Sequence, residues 1–315
     1  MPTEDAKQPH ARRPDTATTG HRTHRYLRLS LGVLVIAILV SVGLESLQLG
    51  AVLPSISHYF YSAAQPVFVG ALVAASLALA ALSGRGLETT LLDVAAVFAP
   101  LIAIVPTGIY GRSLQRELGV ACPPRTMCVP DQYLDQVRNG VATYLIVLVL
   151  VVAIGLLLRR RKRISGRGIY VVAVVGAITL VALGALAFVP ILNDGFPSNR
   201  LFPVGIHYTV TIAFFGAFAA VPIINAFRVT TDAESKPKLW QKLLYLAIAL
   251  ALIADLIVLV FFAASLEPAP VVFICEAIAL ALFAAFWFVQ TAQRWDERDQ
   301  EYVLPTPPLA WSEVR

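Results

Sequence analysis

Eight apolar segments, most of them near the length a helix needs to cross a bilayer, divide this 315-residue chain into polar loops of unequal charge. They run Leu29–Leu49, Pro66–Ser83, Glu88–Tyr110, Gly140–Leu158, Ile169–Leu192, Val204–Phe227, Leu243–Ser265 and Pro270–Gln290. A helix of roughly 20 residues spans about 30 Å of hydrocarbon. The runs are continuous and rich in Leu, Ala and Val, whereas a lipid-facing barrel strand is about half as long and alternates. The prediction is an all-α, polytopic transmembrane helix bundle of about eight spans, the second being the shortest. Charged residues make up 14% of the chain and hydrophobic ones 57%, with mean hydropathy +0.72. A soluble domain carries about a quarter charged residues, so this chain lacks the polar surface to stay in water.

Charge sets the expected orientation. With the amino terminus inside, 20 of the 25 Lys and Arg residues fall in the tails and inside loops, leaving Arg112, Arg116, Arg125, Arg138 and Arg200 outside. The positive-inside rule then predicts a plasma-membrane protein with both termini cytoplasmic. The run Arg159, Arg160, Arg161, Lys162, Arg163 reads as a juxtamembrane topogenic signal whose natural partners are anionic headgroups. Nucleic-acid binding is the weaker reading of that run.

Residues 1–28 are polar, basic and Pro/Thr-rich, and read as a disordered cytoplasmic tail rather than a cleaved signal peptide. Residues 29–290 hold the spans. Residues 291–315 read as a second cytoplasmic tail that first prolongs the last helix and then loosens at Pro305, Pro307 and Pro308. The outer loop 111–139 contains Cys122 and Cys128. Their spacing closes a small ring, and an extracytoplasmic loop is where a disulfide persists; free thiols are the alternative. Cys275, inside the last span, reads as packing.

Ionisable groups within the spans are the sharper clue, because each costs roughly 2.5 kcal/mol or more at mid-helix unless paired or hydrated. Glu45, His58, His207 and Glu276 share one depth near the outer boundary, although they lie far apart in sequence. Ser57, Tyr59, Tyr61 and Tyr208 stand beside them. If the spans meet, these residues would line one outward-facing pocket. Two histidines with a carboxylate suit zinc weakly, through His58, His207 and Glu276, and suit a proton-linked binding site equally well. Interfacial anchoring and simple interhelical hydrogen bonding compete with both.

Two further intramembrane acids are separate. Asp93 lies near the inner end of span three, where it would complement the helix dipole. Asp255 lies mid-span, with no Lys or Arg within helical reach, and needs a partner from another span. Pro100, Pro106, Pro190 and Pro222 interrupt spans and free backbone carbonyls. Small residues such as Ala71, Ala75, Ala78, Gly176 and Gly184 allow close helix contact. No internal repeat links the two halves.

The segment Ile56-Ser57-His58-Tyr59-Phe60-Tyr61, followed by Val67-Phe68-Val69-Gly70-Ala71-Leu72, resembles the signature of an uncharacterised family of bacterial multi-span membrane proteins. Val105-Pro106-Thr107, His207-Tyr208 with Phe214-Phe215, and Glu276-Ala277-Ile278-Ala279-Leu280 extend the resemblance over most of the membrane region. More distantly, the pattern around span two is similar to Frag/DRAM/Sfk-type membrane proteins. The resemblance implies a shared fold and pocket rather than a reaction. Similarity to the ceramidase and adiponectin-receptor-like metallohydrolases is poor: one histidine is missing, and Asp93 stands at the wrong side.

No nucleotide loop, complete metal cage or nucleophile motif stands in the sequence. The leading expectation is a non-enzymatic membrane protein that binds or moves a lipid or small amphiphile. A metal-dependent lipid hydrolase and a structural partner docking through the basic loop are the alternatives.

Overall fold

The computed structural model describes residues 18–82, 86–122, 127–161, 168–193, 195–197, 205–227, 237–263 and 270–295. Helices dominate: α1 (Thr18–Leu49), a short 3-10 helix η1 (Ile56–Tyr61), α2 (Gln65–Ala81), α3 (Leu87–Ile104) and α4 (Arg112–Glu117) come first. Then follow α5 (Asp131–Arg160), α6 (Gly168–Phe188), α7 (Gly205–Ala226), α8 (Leu239–Ala263) and α9 (Pro270–Gln293). Seven of these are long and apolar enough to cross a membrane. The shorter eighth, α2, has 17 residues, which reach about 26 Å at helical rise. The fold is a polytopic helical bundle.

Six helices close a ring in the order α1, α2, α3, α7, α8, α9 and back to α1, while the α5–α6 hairpin packs outside against α3. The ring closes tightly where α1 meets α9, because a Cβ on Gly32 would stand 2.5 Å from the Phe288 ring. Gly176 of α6 fits against Leu148 and Val152 of α5 in the same way. In lipid the hydrophobic effect does not drive helices together, so such packing and polar contacts hold the bundle. The first turns of α1 and the end of α9 share one end of the bundle, with the Arg25 guanidinium 5.0 Å over the Trp295 ring. That end is the termini end; η1 marks the other.

Several boundaries differ from the sequence reading, each for a local reason. Residues 18–28, read as disordered tail, are helical and prolong α1. The loop 111–139 contains α4 and the opening turns of α5, which starts at Asp131 behind Pro130, an acidic first turn suited to the helix dipole. Span three stops at Ile104 instead of Tyr110, because Val105 precedes Pro106 and is pushed to extended backbone. Lys162, Arg163 and residues 296–315 lie outside the described residues.

The interior of the ring is aromatic. Phe214 and Phe218 of α7 meet Phe283, Phe286 and Trp287 of α9, with Phe215 edge-on to Phe214 and Tyr245 of α8 against Phe286. Each such pair contributes about 0.5–1.5 kcal/mol beyond its area. Polar side chains collect above and below this plug.

Candidate functional site

The upper polar cluster starts from a helix end. Pro106 stops α3 and leaves the segment Val105–Gly108 with carbonyls that no helix satisfies. Side chains from elsewhere take them: His207 Nδ1 donates to Val105 O at 2.7 Å, Tyr61 Oη to Thr107 O at 2.8 Å, and His58 Nε2 to Gly108 O at 3.3 Å. A carbonyl only accepts, so each histidine carries its proton on the nitrogen facing it. His58 Nδ1 is left as a buried acceptor without a partner among the described residues. Tyr133 of α5 covers the segment, its ring edge-on to Tyr61 with centroids 5.0 Å apart.

Glu276, in the second turn of α9, closes the cluster from the other side. Ser55 Oγ lies 2.8 and 2.9 Å from its two carboxylate oxygens, Ser57 Oγ donates at 2.8 Å, and the Ile56 N–H donates at 2.5 Å. Ser55 is also the N-cap of η1 and accepts from the Ser57 N–H at 3.1 Å. The carboxylate therefore caps η1 from a span more than 200 residues away, using donors a 3-10 turn leaves open. Tyr208 of α7 joins the cluster, its hydroxyl beside the Ser55 and Thr107 side chains and Glu276. Phe273 N donates to Pro54 O at 3.0 Å, a second tie between α9 and the start of this segment.

Most of the residues picked from the sequence thus meet: Ser57, His58, Tyr61, His207, Tyr208 and Glu276. Two do not. Tyr59 turns toward α1, where its hydroxyl pairs with Ser46 and accepts from the Leu53 N–H at 3.2 Å. Glu45 is buried on α1, and no hydrogen bond among the described residues ties it to Glu276. The expected outward-facing pocket is a packed knot instead, since none of these eight side chains is more than 8% exposed. The donors also fail the zinc reading. His58, His207 and Glu276 are each committed to different backbone or hydroxyl partners. Among the described residues no three His, Cys, Asp or Glu converge as metal ligands.

Burial pushes the His58 pKa down to about 4, with His207 adding to the shift and the Gly108 hydrogen bond opposing it. His58 is therefore neutral near pH 7. An unfolded histidine titrates near 6.5. Between pH 6.5 and 4 the unfolded chain takes up a proton that the folded chain refuses, so stability falls with pH across that window and is flat above it. Thermal unfolding in detergent, followed from pH 8 to 4, should show this slope. His58→Gln should flatten the part of it that His58 contributes.

Asp255 finds its partner across the helix interface: the Cys275 thiol of α9 lies within hydrogen-bonding reach of it. Its second oxygen, Oδ2, is buried without a partner among the described residues. Cys275 therefore does more than pack. It also borders a small apolar cluster with Tyr208, Leu259 and Val272, which links Asp255 to the upper knot. Asp93, on the second turn of α3, belongs to the termini end and not to this site.

A second polar cluster stands at the termini end, outside the residues the sequence singles out. Glu88 of α3, Asn225 of α7, and Gln290 and Arg294 at the end of α9 converge at the termini end. Asn225 Nδ2 and Gln290 Nε2 donate to Glu88 Oε1 at 3.0 and 3.1 Å, and Arg294 Nη2 lies 3.7 Å from Glu88 Oε2. Arg294 also donates to Asn225 Oδ1, which Gln290 Nε2 approaches at 3.1 Å. The only sequence signal was an acid opening span three and a base closing span eight on the same side.

Between α7 and α8 runs an apolar groove of about 420 Å³, walled by Gly216, Ala219 and Ile223 on one side and Ile253, Leu256 and Val260 on the other. That volume is within the range of small-molecule sites. Leu256 also touches the cluster around Tyr208 and Cys275, so the groove adjoins polar groups. Fold and site together define a polytopic integral membrane protein with a closed, polar-capped helix ring. Comparison with protein-family models, curated proteins and solved structures finds no match.

Proposed function

We propose that this protein binds or moves a lipid or small amphiphile within the plasma membrane, with both termini cytoplasmic and η1 on the outer side. One observation carries the reading: an apolar groove between α7 and α8 adjoins, through Leu256, the buried polar residues Tyr208, Cys275 and Asp255. An apolar tail fits the groove. A polar head would be met by Asp255, whose Oδ2 lacks a partner among the described residues, and by the Tyr208–Glu276 knot. The motifs that carry the resemblance to the bacterial multi-span family supply Ser57, His58, Tyr61, Thr107, His207, Tyr208 and Glu276, which converge on this knot.

Sidedness rests on the charge count, since Arg159, Arg160 and Arg161 close α5 at the termini end. Arg159 also lies over Tyr170, its guanidinium carbon 4.7 Å from the ring centre. Anionic headgroups are the partners of this basic end. Cys122 and Cys128, with Cα atoms 6.0 Å apart, form a disulfide on the outer side. Alkylation of the unfolded chain should count one thiol, that of Cys275, before reduction and three after it, and three thiols without reduction would refute the bond.

Gly216 supplies the functional test. A Cβ there meets nothing within 4 Å, and Gly216 lines the groove, so Gly216→Leu should project its side chain into it, with thermal unfolding in detergent to confirm that the fold is kept. Native mass spectrometry of the detergent-purified protein should show co-purified lipid on the wild type. The variant should lose about tenfold in occupancy, which corresponds to about 1.4 kcal/mol. Equal occupancy at unchanged stability would place any bound lipid elsewhere.

A further inference from the structure

The three elements that build the upper knot also build the lower one. α3 supplies Glu88 below and its exit segment Val105–Gly108 above; α7 supplies His207 and Tyr208 above and Asn225 below; α9 supplies Glu276 above and Gln290 below, with Arg294 just past its end. Between them stands the aromatic plug of Phe214, Phe218, Phe283 and Trp287. The axis of the ring is thus polar, aromatic, polar. Each polar end is fastened by one carboxylate held by donors from other elements. The fastenings differ in kind: the upper one holds a six-residue 3-10 segment against α9, and the lower one joins the helices themselves.

We propose that the ring is a transport conduit worked by alternate release of these two latches. Glu276 with Ser55 and Ser57 keeps the η1 end shut. Glu88 with Arg294, Asn225 and Gln290 keeps the termini end shut. The structure is the doubly closed state, and the solute passes the plug only after one latch opens while the other holds. Such bistability suits packed interfaces, which switch between discrete arrangements rather than deform continuously. A static binding protein needs only the knot beside its ligand. A second polar network, joining α3, α7 and α9 through Glu88, Asn225, Gln290 and Arg294 at the far end of the same helices, is what a second gate would use. This inference rests on the binding-or-moving reading above and selects movement.

Thiol labelling tests the latches without any ligand, so its failure would leave the amphiphile reading to be judged by lipid occupancy alone. Thr211 and Val221 of α7, both buried, stand on opposite sides of the plug. Single reporters Thr211→Cys and Val221→Cys are placed in a Cys275→Ser background and reconstituted in oriented vesicles. A membrane-impermeant maleimide is then applied from each side. Glu276→Gln should raise labelling of the Thr211→Cys reporter from the η1 side by roughly tenfold and leave the Val221→Cys reporter protected. Arg294→Gln should do the converse from the termini side. If Glu276→Gln does not fold, Ser55→Ala removes one latch donor and serves in its place. Rise of both reporters in either variant would mean general loosening and would overturn the proposal. So would unchanged labelling of both reporters in folded protein, which would make the clusters purely structural.

Discussion

Glu276→Ala is expected to destabilise the folded protein by about 3 kcal/mol, the largest effect of any single substitution at the η1 end. The change strips the acceptor from the Ser55 and Ser57 hydroxyls and the Ile56 N–H, all buried. Each buried donor left without a partner costs about 1–3 kcal/mol. Part of the loss is recovered because Ser55 and Ser57 hydroxyls already lie 3.0 Å apart and can bond each other. Glu276→Gln keeps one carbonyl acceptor and should cost roughly half as much. Thermal unfolding in detergent reads both, and proteolysis near η1 should rise in parallel. If Glu276→Ala unfolds like the wild type, the carboxylate does not hold η1.

Arg294→Ala should destabilise by a comparable amount, about 3 kcal/mol, because it removes the guanidinium beside Glu88 in a site where both side chains are largely buried, 7% and 16% exposed. Breaking one half of a buried pair costs more than removing the pair, since the surviving charge stays desolvated. The double variant Glu88→Ala with Arg294→Ala should therefore be more stable than the sum of the single losses predicts, with a coupling of about 1–3 kcal/mol. Asn225 and Gln290 soften the effect by keeping hydrogen bonds to Glu88. Strict additivity in the cycle would show that Glu88 and Arg294 act independently.

The two clusters also show what a sequence can and cannot disclose here. Glu276, His58, His207 and Asp255 are legible because an ionisable group inside an apolar run is costly and stands out. Glu276, His58 and His207 share one depth, where η1, α7 and α9 meet in the fold, while Glu45 at that depth stays apart and Asp255 lies deeper. Their closeness is a different matter. That Glu276 would spend its carboxylate on the Ile56 N–H depends on how α9 crosses a 3-10 turn more than 200 residues earlier, which periodicity does not encode. The lower cluster was illegible for the opposite reason. Glu88 and Arg294 sit at span ends, where charge is ordinary, while Asn225 and Gln290 carry none. Pro106 was visible as a helix breaker, but within a 23-residue apolar run it read as a kink. Its real effect is to end α3 and offer Val105, Thr107 and Gly108 carbonyls to the site. Cys275 read as inert because its partner, Asp255, lies on another helix.

Phospholipid movement in reconstituted vesicles tests the central claim most directly. Vesicles of phosphatidylglycerol and phosphatidylcholine carrying a head-labelled fluorescent phospholipid in both leaflets are treated with an impermeant reductant, which bleaches only the outer label. Protein-free vesicles retain the inner signal. The account predicts that wild-type protein abolishes that protection and that Gly216→Leu, with its groove filled, restores it. Full protection in vesicles that contain folded wild-type protein would contradict the account.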